Sequence, residues 1–90
     1  MKKIYKYKLN HSSSQPLQLP KGSSIISVTS QYGNIVLYAN VQTDAKETET
    51  YDILVIGTGD EAPSKDYHFI GTIKLHEGAY MFHVFYRKEE

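Results

Sequence analysis

From Ile4 to Leu9 the chain alternates, with Tyr5, Tyr7 and Leu9 at every second position and Lys6 and Lys8 between them. That two-residue period is the mark of a strand with one buried and one solvated face, and lysines on the solvated face suit the edge of a sheet. The segments Ser24 to Ser30 and Asn34 to Gln42 flank Gln31-Tyr32-Gly33, whose glycine supplies the positive φ of a tight hairpin. Thr50 to Ile56 reads as a further strand. Tyr67 to Leu75 and Tyr80 to Arg87 read as a last pair joined through His76-Glu77-Gly78-Ala79. His11 to Pro16 reads as a loop, followed by the short piece Leu17-Gln18-Leu19 and the turn Pro20-Lys21-Gly22. Thr43 to Glu49 is a polar connection, Gly57 to Asp66 the longest loop, and Lys88 to Glu90 an end expected to fray. The pattern predicts one all-β domain over residues 1–90. Its mainly antiparallel strands, five to seven in number and mostly paired with their sequence neighbours, curl into a small barrel or sandwich.

Two strands are apolar on both sides. In the second strand of the hairpin Ile35, Leu37, Ala39 and Val41 share a face while Val36 and Tyr38 take the other; near the end of the chain Tyr80, Phe82, Val84 and Tyr86 oppose Met81, His83 and Phe85. A sheet with two such sides closes into a barrel, packs on a second sheet, or covers one side with another subunit. In 90 residues there is little chain left for covering, so a homo-oligomer is expected.

Composition supports the strand reading and removes several functions. Ile, Val, Tyr, Phe and Thr make up 30 of the 90 residues, the β-branched and aromatic types that fit a pleated surface. There is no cysteine, which removes disulfides, thiol catalysis and cysteine-containing zinc sites. No apolar run is long enough to span a membrane as a helix, and Lys2-Lys3-Ile4-Tyr5-Lys6 opens no signal-peptide segment, so a cytoplasmic protein without a membrane partner is expected. Lys and Arg total 10 and Asp and Glu total 10, a balance that argues against a nucleic-acid binder. The balance conceals a division: residues 1–43 carry five lysines and no acid, and residues 44–90 carry all ten acids with five bases. Neighbouring strands drawn from both halves would interleave the charges and cancel that asymmetry.

The chemistry-bearing residues form no recognised catalytic pattern. His11, His68, His76 and His83 lack metal-ligand spacing, and Gly57-Thr58-Gly59 is followed by Asp60, Glu61 and Pro63 rather than by the residues of a phosphate loop. No metal, cofactor or catalytic residue is assigned, and an enzyme is not expected. Eight tyrosines provide contact area at low entropic cost, which suits protein recognition or a ligand pocket. The candidate interaction surface centres on Tyr38, His83 and Phe85, with Asp60 and Asp66 as rim contacts.

Leu19-Pro-Lys-Gly22, Ile26-Ser-Val28, Gln31-Tyr-Gly33, Leu37-Tyr-Ala39, Gly57-Thr-Gly59, Phe69-Ile-Gly-Thr72 and Phe82-His-Val-Phe85 together resemble a family of small, uncharacterised phage and bacterial all-β proteins. The resemblance covers residues 3 to 85. That family commonly carries tryptophan where Tyr38 and Phe82 stand, and histidine where Asp60 stands. The resemblance implies a compact β protein of phage setting, acting in the host cytoplasm. On that footing the expected function is a non-catalytic accessory interaction module that binds a host protein and modulates host defence. An oligomeric sponge for a nucleotide or other small signalling molecule, and a structural assembly protein, are the two other classes.

Overall fold

The computed structural model describes residues 1–11 and 13–90. Within them the strands are β1 (Lys2–Leu9), β2 (Ser13–Pro20), β3 (Ser24–Gln31), β4 (Asn34–Gln42), β5 (Thr48–Gly57), β6 (His68–Leu75) and β7 (Tyr80–Lys88). They form two antiparallel sheets, three-stranded in the order β1-β4-β3 and four-stranded in the order β2-β5-β7-β6. The two sheets pack face to face as a sandwich.

The β3–β4 hairpin forms where Gln31-Tyr32-Gly33 predicts it. Tyr32 and Gly33 have φ of 51° and 78°, and Gln31 pairs with Asn34. Two left-handed residues in a two-residue loop twist with the strands, as a type I′ turn does. Glycine takes that conformation freely, whereas a tyrosine is strained there.

Strand pairing departs from the neighbour-to-neighbour expectation. The hairpins β3–β4 and β6–β7 join consecutive strands, but β1 pairs with β4, β2 with β5, and β5 with β7. The cause is the sandwich itself, since the chain changes sheets after β1, after β2 and after β4 to cover both apolar faces. The stretch expected to be a loop before Leu17 also belongs to a strand: Ser13 to Pro16 pair with Val55 to Asp52. Proline survives there because β2 is the edge of its sheet, where one side of the backbone needs no donor. Ser12, within that expected loop, lies outside the described residues. At the far end, Lys88 pairs with Tyr51 and forms an ion pair with Glu49, and Glu89 N–H donates to the Thr50 carbonyl at 2.8 Å. These bonds tie down residues 88 and 89, where the polar end was expected to fray.

Alternation decides which side chains enter the core. Ile35, Leu37, Ala39 and Val41 of β4 are buried, and they face a layer containing Tyr51, Ile53, Val55 and Val84 of the other sheet. Each fully buried Leu, Ile or Val contributes about 1.5–3 kcal/mol of transfer free energy. The Tyr51 hydroxyl donates to the Ser23 carbonyl at 3.3 Å, so its polar atom is satisfied inside this layer, while burial pushes the phenol's pKa up. Among the described residues no buried side-chain polar atom lacks a partner. Where β3 approaches β6, a Cβ added to Gly71 would stand 3.2 Å from Val28 Cγ2, so a larger residue there would press the valine back by a few tenths of an ångström.

Val36, on the opposite side of β4 from the core, is nevertheless 4% exposed. Lys6 pairs with Tyr38 across β1–β4, yet its Nζ donates to Gln31 Oε1 on β3 at 2.9 Å. The diagonal between those residues crosses β4 at the level of Val36, whose cross-strand partners are Lys8 and Thr29.

Two substitutions test this account. Leu37→Ala removes a central core side chain, and urea denaturation is expected to show a loss of about 2–5 kcal/mol. Tyr32→Asn places a residue that tolerates the left-handed region in the turn, and the same measurement is expected to show a gain of about 0.5–1 kcal/mol.

Candidate functional site

Strands β5 and β6 run in the same direction with β7 between them. β5 ends at Gly57, level with Phe82, whereas β6 begins at His68, level with Tyr86. The connection must therefore travel back along β7. Both of its ends are fastened to residues on the side of the sheet away from the core: Thr58 to His83, Tyr67 to Asp52, and Asp66 to Arg87. The segment Thr58 to Tyr67 thus passes over the outer face of the four-stranded sheet.

His83 lies at one end of this crossing. Its Nε2 is 2.9 Å from Thr58 Oγ1 and its Nδ1 is 3.1 Å from Thr72 Oγ1. A hydroxyl both donates and accepts, so the two threonines fix the plane of the ring in either tautomer. Both ring nitrogens are engaged within the protein, and no carboxylate is bonded to either. This is a positioned hydrogen-bonding group. Among the described residues no cluster of three or more His, Cys, Asp or Glu side chains is placed to hold a metal ion.

An apolar strip runs beside the histidine. Phe85 is paired with Leu54 on one side and Phe69 on the other, and the two phenyl rings are 5.3 Å apart at 58°. Ile56 pairs with His83 and Met81 pairs with Lys74. Leu54, Ile56 and Phe85 are half-buried, while Phe69 is 58% and Met81 38% exposed. A shallow cleft of about 400 Å³ continues the strip past His83, between the Gly57-Thr58 turn and the segment Ala79 to Phe82.

The other end of the crossing is polar. Arg87 forms ion pairs with Asp66 at 2.7 Å and Asp52 at 3.7 Å, and its guanidinium lies 4.4 Å from the centre of the Tyr67 ring. Asp52 also accepts hydrogen bonds from Ser14 Oγ at 2.7 Å and from the Tyr67 hydroxyl. Hydrogen bonds from Ser64 and Arg87 hold the Asp66 carboxyl below the usual carboxylate range, and the bond to Asp52 pushes the Tyr67 phenol up.

The five candidate residues do not form one surface. His83 and Phe85 share the outer face of the four-stranded sheet, and Asp66 stands at its polar end. Asp60 is at the opposite end, where its Oδ2 accepts from Gly57 N–H at 2.8 Å and closes the turn that carries Thr58. Both aspartates are thus committed to holding the crossing segment. Tyr38 alternates with the buried Leu37 and Ala39, so it projects from the outer face of the other sheet, on the far side of the sandwich.

Thr58, Thr72, Arg87 and the apolar neighbours of Phe85 were absent from the candidate set. The signal for the threonines was present in Gly57-Thr58-Gly59, Phe69-Ile70-Gly71-Thr72 and Phe82-His83-Val84-Phe85. The fold brings one polar group from each of these segments to a single point.

Two packed antiparallel sheets, with an aromatic outer face on the four-stranded one, place the chain among small all-β sandwich domains. The chain belongs to the family described as Domain of unknown function (DUF7352), whose model matches residues 1–90. No curated protein and no solved structure matches it.

The Asp66 anchor gives a pH dependence of definite sign. Because its folded pKa is lowered, the stability it contributes is fully present above the ordinary carboxylate value and is lost as pH falls through the lowered one. The melting-temperature difference between wild type and Asp66→Asn is therefore expected at pH 6–7 and to shrink below about pH 4, as followed by circular dichroism.

Proposed function

We propose that this domain is a non-catalytic interaction module that holds a protein partner on the outer face of its four-stranded sheet. The observation that carries the reading is the strip of Phe69, Phe85 and Met81 beside the fixed imidazole of His83. Exposed aromatic and methionine side chains next to an oriented hydrogen-bonding group are the usual make-up of a protein hot spot. The crossing segment stiffens this face before any partner arrives, which lowers the entropy lost on binding.

The resemblance to small phage and bacterial proteins supplies the setting. The partner is a host protein, the module acts in the host cytoplasm, and its binding alters a host process such as defence. The nucleotide-sponge reading is less well supported, because the polar groups nearest the strip are already hydrogen-bonded to one another.

The test begins with affinity recovery from a bacterial host lysate and continues with the recovered protein in purified form. Phe69→Ser and Met81→Glu, each checked for native circular dichroism, are expected to weaken that defined complex at least 30-fold, while Lys2→Gln leaves it unchanged. Native mass spectrometry of the domain alone supplies the opposing outcome. If the strip variants dissociate a homo-oligomer and no host complex depends on them, the face is a self-interface and the host-protein reading fails.

A further inference from the structure

The lysines of β1 are not interleaved with acidic strands. β1, β3 and β4, which make the three-stranded sheet, come entirely from residues 2–42, and that stretch contains no acidic residue. Arg87, Lys88 and the N-terminal ammonium each meet a carboxylate, whereas Lys2, Lys6 and Lys8 meet none among the described residues. These three lysines share the outer side of β1, since they pair with Gln42, Tyr38 and Val36 while the intervening residues pair with the buried ones of β4. Asp44, just past the Gln42 end of β4, is bound by Gln42 Nε2 and by the N-terminus at 3.4 Å. The zero net charge that speaks against nucleic acid is a whole-chain sum, and it does not describe this face.

We infer that the outer face of the three-stranded sheet is a binding site for single-stranded nucleic acid. Lys6 and Lys8 are two residues apart on an extended strand, about 6.8 Å between Cα atoms, and the Lys6 ammonium is held out over the face by Gln31 Oε1 at 2.9 Å. Lys2 stands on the same side toward the other end of β1, with the exposed Ile4 between it and Lys6. Beside the row, Tyr38 is paired with Lys6 and half-exposed, placing an aromatic ring where a base next to the bound backbone would lie. Asn40 is its neighbour on one side along the same face of β4 and the buried Val36 on the other, and Ser27 lies opposite it on β3, giving an amide and a hydroxyl beside the ring. The bases of a duplex are reached only from its grooves, so the Tyr38 ring can stack only on an unpaired base. It favours nucleic acid over an acidic peptide because only the former uses the aromatic ring as well as the charge. The site stands on the opposite side of the sandwich from the apolar strip and does not depend on it.

The experiment is fluorescence anisotropy of a labelled twelve-nucleotide oligothymidylate with the full chain, titrated between 50 and 200 mM salt. Three lysine–phosphate contacts are expected to give a slope of log K against log salt of about −2. Lys6→Gln combined with Lys8→Gln should reduce that slope by about 1.4, and these exposed positions leave the fold intact. Tyr38→Leu should weaken binding about tenfold without changing the slope. Met81→Glu, on the opposite face, should alter the slope little. Absence of binding at 50 mM salt, binding indifferent to the lysine variants, or equal affinity for a polyglutamate of matched charge would each overturn the inference. The last of these would assign the face to acidic proteins.

Discussion

The dry layer between β4 and the pair β5–β7 is the constraint on which the molecule depends. Ile35, Leu37, Ala39 and Val41 on one side and Tyr51, Ile53, Val55 and Val84 on the other exclude water between two sheets that share no lateral hydrogen bonds. With no cysteine to cross-link the chain, this burial is what offsets the loss of conformational entropy. It also sets every other orientation. Once these residues turn inward, the strict alternation of a strand turns Tyr38 outward on one side and His83, Phe85 and Arg87 outward on the other.

Local pattern carried much of the fold. The β3–β4 hairpin, the inward face of β1 and the lysines of its edge followed from two-residue periodicity and from one glycine. Non-local pairing was not legible, because nothing near β1 states that its partner is β4 rather than β2. Pro16 was misleading for the same reason, since proline excludes a central strand but allows an edge, and the edge position of β2 depends on residues about forty positions away.

The candidate site was legible in composition and illegible in arrangement. His83 and Phe85 were recognised by sharing a strand face that need not be polar. Tyr38 was grouped with them because aromatic content was read without knowing that two sheets separate the residues. Asp60 and Asp66 were read as rim contacts, whereas the return of the chain over β7 uses both of them as fasteners. A parallel pair of strands split by a third forces such a crossing, and that demand is topological, so no residue type announces it.

The two sheets have four edge strands, β1 and β3 in one and β2 and β6 in the other, and β1 and β2 are protected by different means. β1 relies on like-charge repulsion between lysines, a defence that weakens as ionic strength rises. β2 relies on Pro16, whose missing N–H no salt can restore. One margin of the molecule is therefore guarded conditionally and the other permanently. Unwanted strand-to-strand polymerisation, where it occurs, has a built-in direction: it starts from β1 in concentrated salt and finds no matching growth point at β2.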